Sequence, residues 1–278
     1  MSSNIVINSS HWNKNQKKFI FPLRIPQKFE NKQVGLGAIS LYNQFFNISK
    51  DLNNNSITLI WINGTSYSYT IPDGYYSVPD INFFFQNKML KDKLYLVPNS
   101  STNKAVYYCE LVVDANLYKI QINTYAVPNS ALALENGLSL PKNASWSLPS
   151  NPISPQISFN SSFGKLIGYS AGTYPSTILS IDNQALSDIT PEISVVSCII
   201  LRCNLINNVF INPTDCLNAI PIKGEFGDLM DVSGGFILYS DISTNQFNQI
   251  EISLTDQNGN SLELRDPDCT IILSIKNK

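Results

Sequence analysis

Apolar residues along much of this chain recur at every second position, and that period is the feature that most restricts its fold. Toward the C-terminal end Ile250, Ile252 and Leu254 alternate with Glu251, Ser253 and Thr255. A period of two sends one set of side chains to a buried sheet face and the other to solvent. The segment 256–260 follows, and its Asn258-Gly259 pair is a hairpin signal because both residues tolerate positive φ. Leu262 and Leu264 then alternate with Glu263 and Arg265. Beyond the Asp266-Pro267-Asp268 breaker, Ile271, Leu273 and Ile275 point one way and Thr270 and Ser274 the other. The pattern predicts three antiparallel strands here.

The N-terminal half follows the same rule. Ile5 and Ile7 mark a first strand, and Phe19, Phe21 and Leu23 a second. Ile57, Leu59 and Trp61 lead through Asn63-Gly64 into Tyr67, Tyr69 and Ile71, a second hairpin. Val106, Tyr108 and residues 111–113 pair with Tyr118, Ile120 and Ile122. Further strands are expected at 157–159, 194–201, 209–211 and 236–239. One segment is helical: Pro79-Asp80 caps it, and Ile81, Phe84, Phe85 and Met89 fall at helical spacing, predicting a short helix near residues 80–91. Short strands broken by turn residues, with so little helix, make this an all-β chain: a jelly-roll β-sandwich with a long insertion or second β-lobe.

The sharpest change in composition lies over 128–155, where Pro128, Pro141, Pro149, Pro152 and Pro155 are separated by Ser and Asn around Trp146. Two readings of it stand: a linker between two β-lobes, or an excursion between two strands of one sandwich. The expected organisation is jelly-roll strands over 1–127, the Pro-rich linker or excursion over 128–155, and strands over 156–278 that complete the jelly roll or form the second lobe.

A chain of 278 residues can bury a proper core. Charged residues are only 14% and aromatics 11%, a balance that argues against disorder. Asn fills about one position in eight, a bias that AT-rich codons produce and that reports on the genome as much as on function. A net charge of −2 argues against a protein devoted to wrapping nucleic acid. One local departure is the run Lys14, Lys17, Lys18, Arg24, Lys28 and Lys32, opposed only by Glu30. It suits packaged nucleic acid or an acidic neighbouring subunit, and equally a strand edge that uses Lys to block sheet pairing.

The five cysteines, Cys109, Cys198, Cys203, Cys216 and Cys269, are odd in number and lack paired spacing, which suggests reduced thiols buried in strands. The first residues lack a basic region followed by a long apolar one, so no signal peptide is expected. The longest apolar run, 193–201, is too short to span a bilayer. Asn-X-Ser/Thr triplets such as Asn63-Gly-Thr65 and Asn143-Ala-Ser145 are expected by chance in so Asn-rich a chain.

Motifs that carry chemistry are scarce in this chain. A catalytic triad or Cys–His dyad would have to use the lone histidine, His11, which sits beside Trp12 among Lys and Asn and reads as a loop residue. Cys198 and Cys203 lack the spacing of a zinc knuckle. Gly164-Lys165 lacks both the upstream glycine and the following hydroxyl of a phosphate loop. Asp256, Asn258 and Asn260 imitate the start of a calcium loop, yet the glycine comes two positions early and position twelve is Pro267. No carboxylate pair stands out for glycosidase work. The expectation is a non-enzymatic protein with no catalytic, cofactor-binding or metal-binding residues and no cofactor. The aromatic stretch Tyr67, Tyr69, Tyr75, Tyr76, Phe83, Phe84 and Phe85 reads as core or subunit interface before ligand surface.

Several segments taken together resemble the minor capsid (penton) proteins of virophages and of the related Polinton/Maverick elements. They are NIVINSSHWN at 4–13, ISLYNQFFNI at 39–48, YTIPDGYY at 69–76 with the helix after it, FGKLIGY at 163–169 with GTYP at 172–175, and FNQIEISLTDQNG at 247–259 with IILSI at 271–275. Each is generic alone; their order along nearly the whole chain carries the resemblance. It implies a jelly-roll subunit that forms homopentamers at the five-fold vertices of an icosahedral virion, beside trimers of a double-jelly-roll major capsid protein. It implies assembly inside the host cell, no active site and no membrane-spanning segment. The basic N-terminal region would then tie the ring to its neighbours or face packaged DNA. A receptor- or glycan-binding β-sandwich of spike or lectin type is the alternative from a different class, and a hydrolase on a β-sandwich scaffold the next.

Overall fold

The structure is a computed structural model and describes residues 2–100, 104–233 and 236–278. The chain begins with β1 (Ser2–Asn8), a 3-10 turn at Ser9–His11, β2 (Trp12–Asn13), β3 (Lys18–Lys28) and β4 (Lys32–Tyr42). Its middle holds β5 (Ser56–Ile60), β6 (Ser66–Thr70), α1 (Val78–Lys91), β7 (Val97–Pro98), β8 (Cys109–Asp114), β9 (Lys119–Thr124) and α2 (Ser130–Glu135). There follow β10 (Leu138–Ser139), β11 (Gln156–Phe159), α3 (Ser161–Ile167), β12 (Gly172–Tyr174) and β13 (Asn183–Leu186). It ends with β14 (Cys198–Cys203), β15 (Cys216–Pro221), β16 (Leu229–Ser233), β17 (Tyr239–Asp241), β18 (Gln246–Thr255) and β19 (Thr270–Asn277).

Two compact units result: Met1–Phe45 with Val196–Lys278, and Phe46–Val195. In the first, one sheet runs β1-β19-β4-β16, with β17 also on β4, and the other runs β15-β14-β18-β3-β2. Every ladder is antiparallel. With the short β2 and β17 set aside and the remaining strands numbered in chain order, the sheets read 1-8-3-6 and 5-4-7-2. That is the strand order of a jelly roll, two Greek keys wound around one core. The period-two pattern explains the core. Ile7, Val34, Ile39, Leu41, Ile271 and Leu273 from one sheet meet Phe19, Ile199, Leu201, Ile250, Ile252 and Leu254 from the other, all fully buried.

The middle one of the three expected C-terminal strands, at Leu262 and Leu264, is absent. Thr255 bridges Ser261 and the Leu262 N–H donates to the Leu254 carbonyl at 2.9 Å, then the ladder stops. Both edges of β18 are already taken, by β14 and by β3. Leu262 and Leu264 therefore enter the core from an irregular crossing segment. The strand expected at 209–211 is irregular, and of the one expected at 236–239 only Tyr239 lies in a strand, β17; Val209, Phe210, Phe236 and Leu238 lie exposed.

Gly35 on β4 allows the chain after β16 to lie against the sheet. A Cβ there would meet Ile237 Cγ2 at 2.5 Å and the Leu238 carbonyl oxygen at 2.6 Å. Next to it the Tyr239 hydroxyl and Ser274 Oγ are 3.1 Å apart, and Lys276 Nζ sits 3.8 Å above the Tyr239 ring.

The second unit is inserted between β4 and β14. It contains a sheet ordered β12-β11-β5-β6, a sheet ordered β13-β9-β8, and the pair β10-β7. The hairpins anticipated around Asn63-Gly64 and between residues 113 and 118 are present as β5–β6 and β8–β9. The helix α1 starts at Val78, two residues earlier than expected. Ser77 is its N-cap, and Asp80 returns a bond to the Ser77 N–H, a capping box with Pro79 in the first turn. The helices α2 and α3 escaped the sequence reading. Asn129 and Asn160 cap them, and α3 stops at Gly168 with φ of 82°. Ile57, Leu59, Trp61, Ile81, Phe85, Ile122, Ile157 and Phe163 form this unit's own core.

The seam between the units is not the Pro-rich stretch. Residues 128–155 lie wholly inside the second unit, whose ends are residues 46 and 195. One jelly roll and a β-rich insertion are both present, so the boundaries expected at 127 and 156 are replaced. Trp146 anchors the Pro-rich stretch: its ring meets Trp61 edge-on at 5.0 Å and its Nε1–H donates to the Lys93 carbonyl at 2.7 Å. Those contacts fasten the stretch to the core of the insertion.

Candidate assembly surfaces

The basic run occupies one flank of the jelly roll. Residues 14–17 turn between β2 and β3, with Lys17 at φ of 51°, and β3 is the outer long strand of its sheet. The region is built into the fold: β1 pairs with β19 along its length, Ile7 is fully buried, and the His11 and Phe21 rings lie 5.1 Å apart. Lys18 is paired with Glu251 at 2.9 Å. The carboxyl of Glu251 is held below its ordinary range by that hydrogen bond and by one from Gln249. Among the described residues no carboxylate lies within ion-pair reach of Lys14, Lys17, Arg24 or Lys28. Pro22 and Pro26 remove N–H donors from β3, so this edge resists strand addition.

The opposite flank is formed by β15 and β16, the outer strands at the other side of the two sheets. Between Pro221 and Ser233 its charges are Lys223, Glu225, Asp228 and Asp231. A cleft of about 380 Å³ lined by Pro221, Lys223, Asp228, Leu229, Asp231 and Val232 opens there. Leu229 is 56% exposed and Val232 39%. One oxygen of Asp228 accepts the Glu225 N–H at 2.7 Å, which sets the turn into β16.

His11 has its Nδ1 3.0 Å from Asn8 Oδ1 and accepts the Asn8 N–H at 3.3 Å, contacts that cap a turn. All five cysteines are free, with Cys109, Cys203 and Cys269 buried and Cys198 and Cys216 partly so. Burial pushes the thiols of Cys203 and Cys269 up to about 12 and that of Cys109 well above its ordinary value. Thiols so raised are protonated at neutral pH and so are weak nucleophiles. Among the described residues no group of three His, Cys, Asp or Glu side chains is placed to hold a metal ion. Asp256 accepts the N–H groups of Asn258 and Asn260, both at 2.8 Å, and makes the hairpin turn expected of it.

The aromatic stretch divides. Tyr69 and Phe85 are buried edge-to-face at 6.0 Å, and Tyr69 donates to Asp92 at 2.9 Å. Phe83 is 67% exposed and borders a groove of about 560 Å³ between α1 and β8, which Val112 and Val113 also line. No helix among the described residues is long and apolar enough to cross a membrane.

Strand order and core define a jelly roll with a large domain inserted between its third and fourth strands. No family model matches the chain, and no curated protein matches it. Among solved structures it is similar to the selenomethionine-labelled mavirus penton protein. The TM-score is 0.41 and the identity 10%, over 100% of this chain and 99% of that one. It is also similar to a chain of the Sputnik virophage structure determined by cryo-electron microscopy, with TM-score 0.37, identity 15%, and coverage of 100% and 98%. The fold assignment itself rests on the strand order.

Proposed function

We propose that this chain is a structural subunit of a viral shell, a minor capsid (penton) protein that closes into homopentamers at the five-fold vertices of an icosahedral virion. Its neighbours there are trimers of the major capsid protein, and assembly takes place inside the host cell. The observation that carries the reading is the jelly-roll strand order on a chain whose ordered segments resemble the virophage and Polinton/Maverick pentons. A jelly roll alone serves lectins as well as capsids, so fold does not decide function.

The physical requirements of the role are modest, and this chain meets them. A subunit in a ring needs a rigid body and two different flanks, since a contact that closes around five-fold symmetry is head-to-tail. Two sheets around one core supply the rigidity, and the two outer-strand flanks supply the surfaces. The work is structural, with no bond made or broken. The basic flank suits two partners, packaged DNA at the inner face of the shell or an acidic neighbouring subunit.

Co-expression with a major capsid protein, followed by electron cryo-microscopy of the particles, tests the assignment. Density for this chain at the five-fold vertices is expected; particles whose vertices lack it contradict the proposal. The glycan- or receptor-binding alternative draws on the apolar groove beside Phe83 in the insertion. Specific retention on a glycan array that Phe83→Ala abolishes would favour it.

A further inference from the structure

The two flanks of the jelly roll differ in charge as well as position. On the β3 side, Lys14, Arg24 and Lys28 are exposed cations with no carboxylate in ion-pair reach among the described residues. On the β15–β16 side, the exposed carboxylates Glu225, Asp228 and Asp231 outnumber Lys223. Two of them line the 380 Å³ cleft next to the exposed apolar side chains of Leu229 and Val232. A lysine or arginine has the matching shape, an aliphatic stem that covers apolar surface and a charged head beyond it. Sheet order makes the flanks opposite: β3 ends one sheet on the side where β1 ends the other, and β15 and β16 end them on the far side.

We propose that the occupant of the acidic cleft is the basic flank of a second copy of this chain. The contact pairs Lys14, Arg24 and Lys28 of one copy with Asp228 and Asp231 of the next, and Leu229 and Val232 lie beneath the cationic side chains. The contact is head-to-tail, so each copy uses both flanks and leaves neither unmatched when the ring closes. Packaged nucleic acid would satisfy the cations but leave the acidic cleft with no partner. Pro22 and Pro26 keep the contact from becoming a continued sheet, so charge rather than strand pairing sets the register. The proposal rests on the ring reading above and adds which surfaces meet.

Sedimentation velocity of the full chain over a range of concentration and salt tests it. Three proteins are compared with wild type: Asp228→Lys/Asp231→Lys, Lys14→Glu/Arg24→Glu/Lys28→Glu, and all five changes together, with thermal melts to establish folding. Each one-flank reversal is expected to raise the concentration for half-assembly by about tenfold or more, because it sets like charges against each other. The combined variant, with its signs exchanged, is expected to return to within about threefold of wild type, and wild-type assembly to weaken as salt rises. Rings that form at the wild-type concentration in every variant would overturn the flank assignment and leave the ring reading standing. Basic-flank variants that assemble normally but lose retention of duplex DNA would overturn it in favour of nucleic acid. A wild-type chain that stays monomeric under all these conditions would overturn both.

Discussion

Asn47 and Ile193 stand at the two ends of the inserted unit, and the Asn47 side-chain amide donates to the Ile193 carbonyl at 3.0 Å. The same amide donates to the Tyr76 carbonyl at 2.8 Å, and its oxygen accepts the Tyr76 N–H at 2.8 Å. One buried side chain thus joins the entering segment, a loop before α1 and the leaving segment. On the jelly-roll side, Asn43 and Gln44 act likewise: Asn43 donates to the Glu225 carbonyl at 3.2 Å, and Gln44 donates to the Asp266 carbonyl at 2.7 Å. An insertion is tolerated where its ends lie close together, and the Asn47–Ile193 bond links them.

Asn47→Ala should therefore destabilise the insertion by about 1–3 kcal/mol, because it removes three hydrogen bonds to half-buried backbone groups of Tyr76 and Ile193. Hydrogen exchange should rise in β5, β6 and α1 before β18 and β19. Unchanged exchange in the insertion would contradict the role given to Asn47.

Tyr169 makes a comparable junction inside the insertion. Its hydroxyl accepts the Ile122 N–H at 3.0 Å and donates toward the carbonyls of Ile120 and Ala185. Tyr169→Phe keeps the ring packing and removes these bonds, and should cost about 1–3 kcal/mol in urea unfolding.

Gly35→Ala should cost about 1–3 kcal/mol by overpacking, because its Cβ has no space against Ile237 and Leu238. Proteolysis between residues 236 and 239 should accelerate in the variant, as that segment lifts from the sheet. A crystal structure with the segment still in place and no loss of stability would contradict this.

Acidification should weaken the jelly roll in part through Glu251. Its carboxyl is held below the ordinary value of 4.5 by the Lys18 and Gln249 hydrogen bonds, so its contribution is present above that value and is lost as pH falls through the depressed one. Glu251→Gln should flatten the fall in melting temperature below about pH 4.5 relative to wild type. Parallel acid profiles would show that the pair contributes nothing.

Alkylation at neutral pH should separate the thiols. Cys198 and Cys216, partly exposed, should be modified in the native protein, whereas Cys109, Cys203 and Cys269 should react only after unfolding. Intact mass before and after denaturant reads the difference.

Much of the jelly roll was legible because one face of each long strand is buried and the other wet. Ile250, Ile252 and Leu254 show that alternation plainly, and so do Ile271 and Leu273. Leu262 and Leu264 show the same alternation yet lie in a crossing segment, since a local pattern cannot reveal that both edges of β18 are taken. The seam at Phe45 and Phe46 left no mark in composition. The side chains beside it, Asn43 and Gln44 in one unit and Asn47 in the other, are amides that do not stand out in a chain this rich in Asn. The basic flank was legible as a run of lysines. Its acidic counterpart was not, because Asp228 and Asp231 lie some two hundred residues from Lys14, and only the sheet order puts them on opposite flanks.

If this jelly roll is a ring-forming shell subunit, the mass of the native protein in solution will show it. A closed assembly of five copies that dissociates as salt rises is expected. A monodisperse monomer of 31.0 kDa that is instead retained by a glycan surface would contradict it.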